Sequence, residues 1–453
     1  MRVRVRITQS MYLAYSALIV LFFLVMSPYL VYQAVRYRKY VSSLPQRLGV
    51  LPVSFNFDGD ESIWIHAVSV GEVLTARALL QELRERYPRL RIFLSTTTIT
   101  GHQVARNNLQ YIDEVFYFPF DFAFIVRRTL RLVKPRIFIM METELWPNLL
   151  RACRDAGVKT LLVNGRISSR SYPRYKLAKP FFRRVLAHVD RFCMQSEESA
   201  RRIIDIGADP ARVTVTGSLK FDSLERPGSA AVGDRGHNRV LRYFRIPPDR
   251  PVVIAASTLK GEEEPLLEAF QHLRATRPTA LLIIAPRKPE RFDDVERLAR
   301  RAGCSVGRRS ELRVDAEPRH DIVVLDTIGE LAQLFQVATV VFVGGSLVDA
   351  GGHNILEPAV FGKPIVFGPH MQNFAEIARA FLDNGAAIQV TGGAELDRVL
   401  LDLLSDPVRR ASLGAAARAL VEANRGARGK SLEAIAQLLQ PDRPANVRMF
   451  RIK

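Results

Sequence analysis

The chain has 453 residues, of which 48% are hydrophobic and 25% are charged. This composition excludes a disordered chain, and the length predicts about two or three folded domains. Lysine and arginine outnumber aspartate and glutamate by 65 to 46, a formal net charge of +19, which predicts an anionic partner: a membrane surface, an acidic substrate or a nucleic acid. The three cysteines are widely spaced, so we expect neither a disulfide framework nor a metal site from them.

The N-terminal segment is predicted to anchor the chain in a membrane. Residues 7–35 contain no charged side chain, and a helix of roughly 20 apolar residues is long enough to cross the hydrocarbon layer. A cleaved signal peptide is the alternative, but its apolar region is usually shorter, and no A-x-A site follows here. We expect an uncleaved single-pass anchor over 1–49. The remaining chain is expected on the cytoplasmic side, because basic residues are slightly more numerous after the apolar run.

Beyond residue 49, short apolar runs alternate with amphipathic stretches, which predicts parallel sheets covered by helices. A stretch rich in Gly, Pro, Ser and charge at 225–239 predicts a linker. The fold class is therefore predicted as α/β, with Rossmann-like domains at 50–224 and 240–453 and helices over 395–440. The predicted strands are 62–68, 91–96, 136–141, 159–164, 191–194 and 213–216 in the first domain, and 251–256, 280–285, 321–325, 340–343 and 364–367 in the second.

Charged side chains follow several predicted strands of the first domain. Glu72 comes after the first strand, and Glu142 and Glu144 come after the third. A carboxylate at such a strand end can act as a general base, although Glu72 also fits a helix-capping role in a first turn. Glu142 and Glu144 would point the same way on extended chain; a solvated loop is the alternative, but the neighbouring Trp146 argues against it, because tryptophan usually packs. Lys220, near the end of this domain, can stabilise negative charge on a donor; an ordinary surface lysine is the alternative.

The second domain carries features typical of nucleotide binding. Arg287 follows a strand, and its guanidinium can pair with a phosphate through two hydrogen bonds. Glycine clusters occur at 344–346, where a strand ends, and at 351–354, where a helix begins. Free backbone N–H groups at this helix start predict an anion site. Glu357, about one turn further on, is placed to reach a ribose diol, and helix capping is the alternative role.

Several long stretches, in this order, resemble the 3-deoxy-D-manno-octulosonic acid (Kdo) transferases of lipopolysaccharide synthesis. The resemblance implies a GT-B glycosyltransferase in the cell inner membrane that transfers Kdo with inversion from CMP-Kdo to a lipid A precursor, lipid IVA. It implies no cofactor, no metal and no nucleic-acid partner. The chain departs from the family at Leu259, where many members carry histidine. The matching stretches, between about 64 and 439, are W-I-H-A-V-S-V-G-E, M-E-T-E-L-W-P-N, N-G-R-I-S, V-T-G-S-L-K-F-D, P-R-K-P-E-R and F-V-G-G-S-L-V-D-A-G-G-H-N-I-L-E-P.

The resemblance also implies roles for individual residues. Glu72 would be the catalytic base, and Glu142 and Lys220 would stabilise the transition state. The first domain would bind the acceptor and the second domain the CMP-sugar. The implied contacts to CMP are Pro286, Arg287, Ile328, Gly329, Glu330, Asn354, Ile355, Leu356 and Glu357.

Two other classes of protein share parts of this pattern. A sugar-nucleotide epimerase can have the same two-domain architecture, but it needs no lipid anchor. A membrane-tethered protein that binds sugar or nucleic acid without catalysis needs no acidic groups facing a nucleotide site. Among Kdo transferases, members that add one Kdo and members that add several would share these motifs.

Overall fold

The computed structural model describes residues 2–37, 42–56, 58–108, 110–224 and 240–440. The chain forms two compact units, Met1–Ser223 with Arg425–Lys453, and Leu224–Asn424. The predicted linker 225–239 lies outside the described residues. Each unit is built on a parallel sheet covered by helices, so the prediction of two α/β domains is confirmed.

The first unit contains a parallel sheet of seven strands in the order β3-β2-β1-β4-β5-β6-β7. Strand β1 pairs with β2 on one side and with β4 on the other, so the sheet has a topological switch point between β1 and β4. Ligands bind at the carboxyl ends of strands beside such a point. The strands are β1 (Ser62–His66), β2 (Arg91–Thr96), β3 (Glu114–Tyr117), β4 (Pro135–Met141), β5 (Lys159–Gly165), β6 (Arg191–Met194) and β7 (Val213–Val215).

Helices cover both faces of this sheet, and successive strand residues alternate between two cores, as the period of a strand requires. Trp64 and Phe93 lie in one core, whereas Ile63 and Ile65 lie in the other. The helices before the linker are α1 (Arg2–Tyr37), α2 (Leu44–Arg47), α3 (Val70–Arg86), α4 (Ile99–Asn108), α5 (Ala123–Val133), α6 (Pro147–Asp155), α7 (Tyr172–Leu177), α8 (Lys179–Leu186), α9 (Glu197–Ile206) and α10 (Leu219–Asp222), with 3₁₀ turns at Val53–Asn56 and Pro210–Arg212.

Helix α1 contains a stretch, Met11–Tyr29, that is long and apolar enough to cross a membrane by length and composition, and 6% of this stretch is buried. The helix nevertheless contacts the first unit. Its Phe23 ring meets Phe120 at a centroid distance of 4.7 Å, and Tyr12 meets Phe181 at 5.9 Å. One side of the apolar helix therefore packs on protein over about three turns.

The second unit also contains seven parallel strands, in the order β10-β11-β9-β8-β12-β13-β14. The strands are β8 (Val252–Thr258), β9 (Leu281–Pro286), β10 (Val306–Arg308), β11 (Ile322–Val324), β12 (Val340–Val343), β13 (Ile365–Phe367) and β14 (Ile388–Gln389). The helices are α11 (Glu263–Thr276), α12 (Phe292–Arg301), α13 (Leu331–Leu334), α14 (Leu356–Val360), α15 (Ala375–Asp383), α16 (Gly393–Ser405) and α17 (Pro407–Ala423), with 3₁₀ turns at Pro289–Arg291, Arg309–Glu311, Phe335–Val337 and Gln372–Phe374.

The last helix, α18 (Ala427–Leu439), belongs to the first unit. Its Leu432 and Ile435 are buried in the core beneath β1 and β4, and Asp222 accepts a hydrogen bond from the Arg428 backbone N–H at 2.7 Å. This arrangement differs from the predicted second domain, which ran to the C-terminus. The prediction of helices over 395–440 is correct, but α18 buries its apolar face against the sheet of the first unit.

Candidate active site

Three carboxylates meet at the switch point of the first unit. Glu72 lies in the first turn of α3, after β1, and Glu142 and Glu144 follow β4. Glu72 is 9% exposed. Its burial raises the pKa of its carboxyl group from 4.5 to about 7, and the charges of Glu142 and Glu144 contribute to the rise. The structure therefore brings the predicted base and the predicted acidic pair into one electrostatic cluster.

The Glu72 carboxylate is also held by hydrogen bonds at the start of α3. Oε2 accepts from the backbone N–H of Val68 at 2.8 Å, and Oε1 accepts from the Ser69 hydroxyl at 3.1 Å. These bonds lower the pKa, but desolvation and the neighbouring acids outweigh them. A carboxyl group with a pKa near neutral pH is well matched to proton transfer. The capping role and the role of a base are thus compatible in one side chain.

The loop after β4 turns sharply. Glu142 has a φ of +55°, and its N–H donates to the Val163 carbonyl oxygen of β5 at 3.0 Å. The expectation that Glu142 and Glu144 point the same way on extended chain is therefore wrong, because a left-handed residue interrupts the extended backbone. A non-glycine residue in this region is strained, and such strain is common at functional sites.

Two side chains lie against Glu144, and neither was predicted as its partner. Trp146 donates its indole N–H to Oε2 of Glu144 at 2.9 Å, and Nε2 of His66 lies 3.6 Å from the same oxygen. His66 is fully buried. Its ring stacks on Phe118 at 3.8 Å, and Nδ1 faces the carbonyl and hydroxyl oxygens of Ser95 at 3.0 Å. In the sequence, His66 can be recognised only as a polar residue at the end of the apolar strand β1.

Lys220 lies at the start of α10, on a turn that β5 holds in place. Asn164, near the end of β5, has a φ of +57° and is 1% exposed. Its Oδ1 accepts from the backbone N–H of Leu219 at 3.0 Å. The Lys220 turn is hydrogen-bonded to the end of β5, and the Glu142 loop follows the end of β4. Because β5 pairs with β4, the turn and the loop lie at adjacent strand ends. Asn164 is a further residue whose role in the site emerged only from the structure.

In the second unit, Arg287 and the segment before α14 come together at the carboxyl edge of the sheet. Burial raises the pKa of the Glu357 carboxyl group, and the hydrogen bond from Asn354 and the positive charge of Arg287 partly offset this rise. The same charge contributes to lowering the pKa of His353. For His353, burial is the larger cause, and its pKa falls to about 4. Nδ2 of Asn354 donates to Glu357 at 2.9 Å, and Oδ1 of Asn354 accepts from the backbone N–H of Leu356 at 3.1 Å. Three of the predicted CMP contacts, Arg287, Asn354 and Glu357, therefore form one group.

The remaining predicted CMP contacts offer mostly backbone atoms. Pro286 ends β9, and Ile355 and Leu356 are fully buried. Ile328 is 85% exposed, and Gly329 has a φ of +89°. These residues can contact a ligand through the main chain or, for Ile328, through an exposed apolar side chain.

The side chain of Glu330 stabilises the loop that contains Ile328 and Gly329. Its carboxylate lies 2.8 Å from Nε of Arg309 and accepts from the Thr327 hydroxyl at 2.6 Å. Arg309 is 5% exposed, and its guanidinium lies 3.5 Å from the centroid of the Tyr243 ring. The Glu330 side chain therefore fixes the loop, and Arg309 is a structural partner of Glu330 that the sequence did not reveal.

The first predicted glycine cluster does not provide an anion site. The backbone N–H groups of Gly345, Ser346 and Leu347 donate to the carboxylate of Glu262 at 2.7, 2.9 and 2.9 Å. Glu262 is fully buried and also accepts from the Leu259 N–H at 2.9 Å. At 344–346 an internal carboxylate thus already occupies the place that a phosphate would take.

Two Rossmann-like units with charged groups at their strand ends define a GT-B protein, and comparison with solved structures agrees. The similar structures include the glycosyltransferase from Rickettsia africae, at 11% identity and a TM-score of 0.55 over 84% of this chain and 99% of that one. They also include the UDP-GlcNAc 2-epimerase from Neisseria meningitidis, at 12% identity and a TM-score of 0.56 over 84% and 99%. At these identities the likeness establishes the fold alone.

Sequence comparison then identifies the family. The 3-Deoxy-D-manno-octulosonic-acid transferase (kdotransferase) family matches residues 42–223, and Glycosyl transferases group 1 matches residues 242–420. The chain is 34% identical to the 3-deoxy-D-manno-octulosonic acid transferase of Haemophilus influenzae over 85% of its length and 88% of the relative. For the Bordetella pertussis transferase the identity is 36%, over 82% and 86%. The chain belongs to the 3-deoxy-D-manno-octulosonic acid transferase family, which confirms the resemblance drawn from the motifs.

Proposed function

We propose that this protein transfers Kdo from CMP-Kdo to a lipid A precursor, lipid IVA, with inversion at the anomeric carbon, in lipopolysaccharide synthesis. The observation that carries the proposal is Glu72: a buried carboxyl group at the switch point, with a pKa raised to about 7. Membership of the Kdo transferase family supports the choice of donor sugar. The match of residues 242–420 to Glycosyl transferases group 1 supports a transfer reaction.

In the proposed reaction, Glu72 takes the proton from an acceptor hydroxyl as that oxygen attacks the anomeric carbon of Kdo. The bond from this carbon to the phosphate oxygen breaks, and CMP leaves with the bonding electrons. Glu142 and Lys220 stabilise the transition state, Lys220 by placing positive charge near the oxygens that become negative. The products are the Kdo-lipid, CMP and a proton.

The second unit is proposed to bind CMP. Arg287 is the candidate phosphate ligand, since it is exposed at the end of β9 and its fork matches phosphate oxygens. Pro286, residues 328–330 and residues 354–357 would contact the rest of the nucleotide. Glu357 retains its place in this proposal because its carboxylate, although bound to Asn354, lies near the charge of Arg287.

Helix α1 is proposed to anchor the enzyme in the inner membrane with both units on the cytoplasmic side. Two observations support this: the stretch Met11–Tyr29 is apolar, and the chain carries a net charge of +19. Because one side of α1 packs on the first unit, its exposed side, with Leu18, Leu21 and Val25, would face the lipid. Basic residues near an anionic leaflet each contribute about 1 kcal/mol to attraction. The anchor would keep the enzyme beside a lipid acceptor.

The test is to incubate the purified full chain, in detergent, with CMP-Kdo and tetra-acylated lipid A precursor, and to weigh the lipid products by mass spectrometry. The proposal predicts a mass gain of one or more Kdo units that depends on CMP-Kdo. Free Kdo and other nucleotide sugars serve as donor controls. A lipid that keeps its mass with CMP-Kdo, or gains another sugar from a different donor, would contradict the proposal.

A further inference from the structure

Helix α1 forms hydrogen bonds with the first unit at the place where α6 begins. The Tyr15 hydroxyl donates to Oδ2 of Asp121 at 2.9 Å, and Nδ2 of Asn148 donates to the Ser16 hydroxyl at 3.3 Å. Asp121 is 3% exposed and Asn148 is 5% exposed. Buried polar groups of this kind fix geometry, because each one loses solvation unless its partner is in place. The contact between α1 and the first unit is therefore specific as well as apolar.

The same Asp121 carboxylate caps helix α6. Oδ2 accepts from the backbone N–H of Asn148 at 3.0 Å, and Oδ1 accepts from that of Leu149 at 2.8 Å. The N-cap residue of α6 is Trp146, whose side chain makes no capping hydrogen bond. The first N–H groups of a helix need external acceptors, and Asp121 supplies them from another loop. One carboxylate thus joins α1 to the first turn of α6.

The first turn of α6 leads directly into the acidic cluster. Trp146 donates to Glu144 at 2.9 Å, and its ring packs on Phe118 at a centroid distance of 5.0 Å. Glu144 faces His66 and raises the pKa of Glu72. A displacement of the α6 start would therefore move Trp146 and, with it, the carboxylate of Glu144.

We propose that Tyr15 is a positioning residue, which couples docking of the N-terminal helix to the geometry of the 142–146 loop through Asp121 and Trp146. The helix then does more than hold the enzyme at a membrane, because the acidic cluster has its working arrangement only while α1 is docked. This inference rests on the proposed function of the acidic cluster. It assigns Tyr15 no contact with either substrate.

The matched variants are Tyr15→Phe and Tyr29→Phe. Each removes one hydroxyl from α1, but Tyr29 is 54% exposed and donates no hydrogen bond within the part of the chain that the structure describes. Steady-state transfer in detergent gives kcat and the KM for CMP-Kdo. Acrylamide quenching of fluorescence reports the loop independently: the protein has 2 tryptophans, and Trp64 is fully buried, so quenching reports mainly Trp146.

We expect Tyr15→Phe to lower kcat by about tenfold, since small displacements of catalytic groups have large effects on rate. The donor KM should stay unchanged, and Trp146 should become more accessible to acrylamide. Tyr29→Phe should match the wild-type protein in all three quantities. Equal quenching and equal kcat in the two variants would overturn the inference. If the wild-type protein transfers no Kdo, the proposed function fails, and the quenching comparison alone still decides whether α1 positions the loop.

Discussion

Replacing the proposed base by an amide should stabilise the first unit while it removes activity. Glu72 has a pKa of about 7 in the folded chain against an ordinary value of 4.5. At pH values above 4.5 the unfolded chain therefore releases the proton more readily than the folded chain does. Ionisation of Glu72 opposes folding, increasingly so as the pH rises from 4.5 to 7. Glutamine has a similar shape and no charge, so Glu72→Gln avoids this penalty.

The size of the effect follows from the two pKa values. The penalty relative to a neutral side chain is about 1 kcal/mol at pH 5 and about 3 kcal/mol at pH 8. The amide oxygen can still accept from the Val68 N–H, as Oε2 does now, so most of the local hydrogen bonding is retained. We expect Glu72→Gln to be more stable than wild type at pH 8 by about 2 to 3 kcal/mol, with a smaller difference at pH 5.

The assay is urea unfolding in detergent, followed by tryptophan fluorescence. Both tryptophans, Trp64 and Trp146, belong to the first unit, so the signal follows the unit that contains Glu72. Glu85→Gln is the matched control, because Glu85 is exposed on the same helix. Equal stability of Glu72→Gln and wild type at pH 8, or a difference that does not change between pH 5 and pH 8, would refute the argument that Glu72 is ionised at an energetic cost.

Three further predictions concern both units. The kcat of wild type should rise with pH through about 7 as the base ionises, and Glu144→Gln should shift this midpoint to lower pH, because the Glu144 charge helps to raise the pKa of the base. Arg287→Ala should weaken CMP binding about tenfold or more in calorimetry, as loss of a charged hydrogen bond predicts, whereas Arg301→Ala should not. Glu262→Gln should destabilise the second unit by about 2 to 4 kcal/mol, because an amide N–H₂ group would face the backbone N–H donors of 345–347. We expect faster amide hydrogen exchange at 345–347 in this variant and no change in the control Glu264→Gln.

Much of the fold was predictable because long buried strands carry continuous apolar runs. The missed strands, β3, β10 and β14, all lie at sheet edges and contain four, three and two residues. Helix α18 was recognised as a helix, but its assignment to the first unit depends on distant partners such as Asp222. Local sequence predicts elements well, whereas the partner of an amphipathic element is set by tertiary packing.

In the candidate site, too, local sequence revealed individual residues but not their distant partners. Glu72, Glu142 and Arg287 were recognisable because each stands beside the end of a clear strand. Glu262 was missed because its partners at 345–347 lie more than 80 residues away in the sequence, and nothing local distinguishes it from the neighbouring glutamates. His66 was missed because a histidine on a buried strand is usually a packed core residue, and only the structure places it 3.6 Å from Glu144.

The central claim is that Glu72 removes the proton of the acceptor hydroxyl, and single-turnover transfer at pH 7.5 tests it most directly. The measurement compares wild type, Glu72→Gln and Glu85→Gln, each saturated with CMP-Kdo and lipid acceptor, and follows Kdo-lipid formation by mass spectrometry. Loss of a general base lowers the rate by about 10²- to 10⁴-fold, so Glu72→Gln should be slower by at least about a hundredfold while Glu85→Gln keeps the wild-type rate. A Glu72→Gln enzyme that forms Kdo-lipid at the wild-type rate would contradict the account.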